Sequence, residues 1–121
     1  MLCGSYSIQT IFLMQIIQKN VDKILTEDTL ELMYHIEKDS KISQRELAKA
    51  IGISIGKVNY CLKALIDIGF VKLKNFSDSG KKSEYAYIIT PRGIKEKIRI
   101  TKMFIKKKQE EYEKLASFIE K

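Results

Sequence analysis

The chain has 121 residues, 45% of them hydrophobic and 31% charged, values of one ordinary globular domain that exclude disorder and low-complexity sequence. With 22 Lys+Arg against 15 Asp+Glu the net charge is +7, so the favoured partners are polyanions, nucleic acid or an anionic membrane surface. Two cysteines (Cys3, Cys61), one histidine (His35) and no tryptophan leave neither a disulfide framework nor a zinc-holding spacing nor the parts of a histidine-dependent dyad. No enzyme, no metal site, no cofactor and a reducing cytoplasm are the expectations.

The most apolar stretch, Ile11 to Ile17, is broken by Gln15 and is far shorter than the roughly 18 to 20 residues that span a bilayer. Its charges, Lys19 and Lys23, follow it, the reverse of an export signal, and it lacks the lysine-rich face of a membrane-surface anchor. It reads as a helix over about residues 7 to 24, amphipathic or fully buried and packed on a partner subunit, or else as an extension from an upstream start. Residues 1–25 are set apart as that N-terminal helix or extension, a segment read as packing on a partner, from a domain over 26–90 and a long helix over 91–121.

Thr26 caps the next helix, with Glu27 and Asp28 in its first turn and Leu30, Met33, Tyr34 and Ile36 at helical spacing on its inner face. Ser43-Gln44-Arg45-Glu46 is a capping box opening a short helix with Leu47, Ala48 and Ile51 inward and Gly52 just past its end. Ser54 caps a third helix carrying Val58, Leu62 and Leu65, which stops at Gly69. Two helices joined by a three- or four-residue turn that contains glycine are the sequence form of a helix-turn-helix.

Phe70 to Lys74 alternates apolar and basic, Tyr85 to Ile89 is rich in strand formers, and the polar stretch between them carries Gly80, Lys81 and Lys82 at its tip. This is a two-stranded wing. Thr90 caps the last helix and Pro91 fills its first position, where a missing N–H costs nothing. The helix runs to about Glu120, roughly 45 Å at about 1.5 Å per residue. Ile98, Ile105, Tyr112 and Ile119 recur every seven positions, widened by Ile94, Phe104, Leu115 and Phe118, so one face is expected to bury against a second copy or, failing that, against its own domain. Thr101 and Lys108 interrupt the flanking row, which favours a bundle with the N-terminal helix over a strict coiled coil.

Charge follows the same division. Residues 41–108 hold 17 Lys+Arg against 5 Asp+Glu, whereas both flanks are net acidic. Helical spacing leaves Ser54, Gly56, Lys57, Asn59, Tyr60 and Lys63 on the outer face of the third helix. There Asn59 can pair bidentately with adenine, Lys57 can reach guanine or a phosphate, and Gly56 permits close backbone approach. Gln44, at a helix N-terminus, is a phosphate clamp, and Lys81 and Lys82 are backbone contacts. Tyr60 reads equally as a half-buried aromatic against the wing. Gly52, Gly56 and Lys57 do not make a phosphate-binding loop, because only three residues separate the glycines and Val58 follows the lysine. Cys61 reads as a small core hydrophobe, and His35 as a surface or packing residue.

The segments Ser43 to Ala48, Gly52 to Tyr60 and Ile89-Thr90-Pro91-Arg92-Gly93 resemble the MarR family of winged-helix regulators, with Gly56-Lys57-Val58-Asn59-Tyr60 similar to its exopolysaccharide-associated branch. The resemblance spans about residues 26–121 and implies a homodimeric transcription regulator, acting on polysaccharide genes, with double-stranded DNA as partner. The fold expected is mainly α with a small β-hairpin: a winged helix-turn-helix plus a long C-terminal dimerisation helix through Ile94, Ile98, Ile105, Tyr112, Leu115 and Ile119. A winged helix serving as a protein-interaction module, with no DNA contact, is the alternative. An effector ligand, the operator and the sign of regulation are not legible.

Overall fold

The computed structural model describes residues 7–76 and 84–120. The described residues form five helices, α1 (Ile8–Ile24), α2 (Glu27–Lys38), α3 (Gln44–Ile51), α4 (Ile55–Ile68) and α5 (Pro91–Ser117), and one antiparallel hairpin, β1 (Val71–Phe76) and β2 (Glu84–Ile89), which comes between α4 and α5 in the chain. The sequence had α5 running three residues further, to Glu120; beyond Ser117 the chain turns away, with Phe118 as its C-cap.

Local chemistry starts α2 to α5, and stops α3 and α4, where the sequence says. Thr26, Ser54 and Thr90 each accept a hydrogen bond from the backbone N–H three residues on. The capping box closes in both directions: Glu46 N–H donates to Ser43 Oγ at 3.0 Å, and Ser43 N–H donates to Glu46 Oε1 at 2.9 Å. The backbone bond to the carboxylate holds the Glu46 carboxyl below its ordinary pKa. Gly52 and Gly69 end α3 and α4 at φ +84° and +87°, in the left-handed region where a side chain is strained.

The core is built from α4 outward. Val58, Cys61, Leu62 and Leu65 are buried against Leu32, Met33 and Ile36 of α2, Leu47 of α3, Phe70 and Val71 at the head of β1, and Ile100 of α5. On α2 the inner stripe differs from the one read off the sequence. Tyr34 is 49% exposed while Leu32 is fully buried, so the face runs through Thr29, Leu32, Met33 and Ile36. Its polar member explains the shift. Thr29 is buried because its hydroxyl donates to the carbonyls of Ile24 and Thr26, at 3.0 and 2.8 Å, which leaves no polar atom unsatisfied. Tyr34 lies edge-on to His35 with Lys38 over its ring.

The hairpin is seated by register and by its exit. Val71 pairs with Ile89 and Leu73 with Tyr87, and Tyr87 N–H also donates to Ser40 O at 2.8 Å, pinning β2 to the loop before α3. Thr90 Oγ1 donates to Gly69 O at 2.7 Å and Thr90 N–H donates to Phe70 O at 3.0 Å, so the start of α5 is locked to the end of α4.

Ion pairs tie the outer helices to this body: Arg99 to Asp22 at 2.6 Å, Lys108 to Glu27 at 3.2 Å, and Lys97 to Glu37. Burial pushes the Asp22 carboxyl up, but hydrogen bonds from Arg99 and Gln18, with the Arg99 charge, outweigh it and leave the group below its usual value of 3.8. A depressed folded value means that the stability from this pair is full above the unfolded value and is lost as pH falls through the folded one. Asp22→Asn is therefore expected to lose stability at pH 6 but to show a shallower further loss between pH 4 and pH 2, read by urea titration of both proteins.

α1 departs from the fully buried option. Within the chain only Val21 of that helix is buried, with Leu25 just beyond it, while Ile8, Phe12, Leu13 and Ile17 are exposed. No helix among the described residues is long and apolar enough to cross a membrane.

Candidate nucleic-acid interface

α4 presents one apolar face to the core and one polar face to solvent. Ser54, Gly56, Lys57, Asn59, Tyr60 and Lys63 are all exposed on it, as helical spacing from Val58, Leu62 and Leu65 requires. Tyr60 is 74% exposed, which departs from the half-buried packing against the wing considered from the sequence. Ser54 has part of its capacity committed, since its Oγ accepts from Lys57 N–H at 3.1 Å as the helix cap.

Gly56 has no internal reason to be glycine. A Cβ there would meet only Ser54 Oγ, at 4.0 Å, and the backbone is not in the left-handed region. Gly56→Ala is thus expected to stabilise the fold by about 0.4 to 1 kcal/mol, because the unfolded chain loses freedom. If the α4 backbone approaches a groove closely, the same methyl weakens duplex binding. A thermal melt and a duplex titration on one sample read the two opposite signs.

Lys57 Nζ lies 3.5 Å from Asp28 Oδ2 at the start of α2. Both side chains are well exposed, so the pair contributes on the order of 0 to 1 kcal/mol and does not withhold the ammonium from a phosphate. Cys61, one turn further along, is buried; that burial raises its thiol pKa, with opposed smaller effects of Lys57 and Asp28, so it stays a protonated packing residue.

Gln44, expected as a phosphate clamp, is half-buried at the first position of α3. Its Nε2 donates to Tyr87 Oη at 3.2 Å and to Asn59 Oδ1 at 3.5 Å. The structure brings Gln44 and Asn59 together across the helix-turn-helix and adds Tyr87, which the sequence reading did not include. A cavity of about 370 Å³ opens beside them, lined by Lys41, Ser43, Gln44, Tyr85 and Tyr87. Ile55 was also passed over. It is exposed on the first turn of α4, one turn before Asn59, and the same spacing that selected Asn59 and Lys63 selects it, as an apolar partner for a thymine methyl. Lys81 and Lys82 lie outside the described residues. Among the described residues no group of three or more His, Cys, Asp or Glu side chains is placed to hold a metal.

Residues 29–72, from α2 to the start of β1, match a family model described as winged helix-turn-helix DNA-binding. The fold is a winged helix-turn-helix. Its α3 and α4 are the helix pair, the β1–β2 hairpin is the wing, and α1 and α5 flank them. Solved structures share this winged helix across nearly the whole chain. The S. aureus MepR–DNA complex is 20% identical with a TM-score of 0.56, covering 95% of this chain and 93% of that one. Lactococcus lactis ZitR is 14% identical with a TM-score of 0.54, covering 93% and 83%. The adhesin competence repressor AdcR from Streptococcus pyogenes is 16% identical with a TM-score of 0.53, covering 90% and 78%. No curated protein matches the chain in sequence.

Proposed function

We propose that this winged helix is a homodimeric transcription regulator of the MarR type that binds double-stranded DNA sequence-specifically in the cytoplasm. The observation that carries the reading is the outer face of α4, where the exposed residues Ser54, Gly56, Lys57, Asn59, Tyr60 and Lys63 join hydrogen-bonding, cationic and side-chain-free positions on one helix. Further support comes from the DNA-binding family model over residues 29–72 and from the fold shared with MepR, a protein solved in complex with DNA. Selection of bound duplexes from a random library tests it. A recurrent palindromic half-site is expected; recovery of unselected sequence, with no salt-sensitive retention on heparin, favours a protein-interaction module instead.

The homodimer is proposed from uncovered apolar surface. Ile98, Ile105, Tyr112, Leu115 and Ile119 of α5 and its tail are exposed, as is most of the apolar surface of α1, and covering what remains of each stabilises an interface in proportion to the apolar area removed from water, about 25 cal/mol per Å². Ile94 is exposed as well, Phe104 is partly covered, and Ile100, absent from the sequence-read stripe, is the α5 apolar side chain that is buried in the core. A stripe folded back on its own domain would be dry; this one is not. Light scattering at micromolar concentration is expected to give twice the 14.0 kDa chain mass, and removal of residues 100–121 is expected to give monomer. The exopolysaccharide association rests on Gly56 to Tyr60 alone, and the comparisons add nothing to it. Its test is whether the selected half-site lies upstream of such genes.

A further inference from the structure

The winged helix contains a side-chain relay that joins its wing to its outer helix face. Tyr87 is fixed twice, by its place in β2 opposite Leu73 and by its backbone bond to Ser40, and its ring is buried. Gln44 is fixed at its backbone by the capping box, one residue after Ser43. Both N–H bonds of the Gln44 amide are spent between these groups, one on Tyr87 Oη at 3.2 Å and one on Asn59 Oδ1 at 3.5 Å. The three residues are far apart in sequence, with Gln44 15 positions from Asn59 and 43 from Tyr87.

We infer that Gln44, tethered to Tyr87, is a positioning residue that holds the Asn59 carboxamide with its Oδ1 turned inward, and so decides which base edge Asn59 reads. The chemistry is a question of donors and acceptors. A free asparagine amide turns over readily, because the last torsion is broad and roughly two-fold, and in its two orientations it presents either N–H or C=O foremost. With Oδ1 engaged by Gln44, the Asn59 NH₂ is turned outward as a donor and one Oδ1 lone pair remains. That arrangement suits the N7 edge of a purine, with adenine N6 taking the remaining lone pair. Removing Gln44 frees both orientations, which costs discrimination at the base that Asn59 reads.

The inference rests on the DNA-binding reading, and three variants test it on the full chain. The relevant base pair is the one whose preference disappears in Asn59→Ala. There the wild type is expected to show a preference of about five-fold or more, and Gln44→Ala to reduce it to about two-fold or less, read as the ratio of affinities for duplexes that differ at that base pair alone, so that any phosphate contact of Gln44 cancels. Tyr87→Phe keeps the ring and loses only the hydroxyl, so it is expected to fall in between. Gln44→Glu is the sharper test. An acidic side chain in a first helical turn is well tolerated, and a carboxylate only accepts, so it draws the Asn59 NH₂ inward and turns Oδ1 out. The preferred base is then expected to change from adenine toward cytosine, which offers an exocyclic amine and no N7 acceptor, at reduced overall affinity, in place of a flat preference.

Nuclear magnetic resonance of the DNA-free protein gives a readout that needs no duplex: the Asn59 side-chain amide protons are expected to shift downfield and exchange more slowly in Gln44→Glu than in wild type. If the wild type selects a site but its preference survives Gln44→Ala and Gln44→Glu, or the Asn59 signals do not move, the inference is overturned and DNA binding stands. If the wild type selects no site, the DNA-binding reading fails and takes the inference with it.

Discussion

Gly93→Ala is expected to be the most damaging single methyl in the chain, costing about 3 kcal/mol through overpacking. Gly93 is buried at the third position of α5, and a Cβ there would stand 2.2 Å from the Phe70 carbonyl oxygen and 2.9 Å from Ile89 Cγ2. The nearest obstacle is backbone, which cannot swing aside as a side-chain end does. It is also the carbonyl that accepts the Thr90 N–H, so moving it breaks the tie that seats α5 on the α4–β1 corner. For a chain of this size the loss corresponds to roughly 10 °C in melting temperature. Gly56→Ala is the internal control, since it adds the same methyl near the start of a helix in open space. Differential scanning calorimetry of both should give changes of opposite sign. A Gly93→Ala protein that melts with the wild type would mean that α5 is not held against Phe70 as described.

Asn59→Ala is expected to cost about 1 to 3 kcal/mol on a selected duplex and almost nothing on a random one, because a base-edge contact is lost while the phosphate contacts remain. The double substitution of Lys81 and Lys82 by alanine is expected to behave in the opposite way, weakening both duplexes alike. Each phosphate contact removed should also lower the slope of log affinity against log salt by about one, since fewer counterions are released. Titrations of the two proteins on selected and scrambled duplexes at several salt concentrations separate the roles. Equal losses on both duplexes for Asn59→Ala would place that side chain on the backbone, not on a base. An unchanged salt slope for the lysine pair would remove the wing from the interface.

The helix boundaries were legible because each is decided within about four residues. Thr26, Ser43 with Glu46, Ser54, and Thr90 with Pro91 satisfy N–H groups in their own first turns, and Gly52 and Gly69 supply the one backbone conformation that closes the turn before them. The order of elements followed from those boundaries, and the two faces of α4 from its 3.6-residue period. The face of α2 was misread by about one position because a threonine sits in its apolar stripe. Only the carbonyls of Ile24 and Thr26 make burying that hydroxyl tolerable, and their positions depend on how α1 meets α2.

By itself, then, the sequence determined the elements, the outward row on α4 and the existence of an apolar stripe on the last helix, all of which are local or periodic properties. Tertiary structure alone decided three things. It left the stripe from Ile98 to Ile119 uncovered while taking Ile100 into the core; it set Phe70 O where Gly93 admits no side chain; and it laid Tyr87 of the returning strand against Gln44 and Asn59. The common reason is separation along the chain. Contacts between residues 15 to 43 positions apart have no signature in spacing or composition, and they exist only once the hairpin has folded back and α5 has been locked to the corner it starts from.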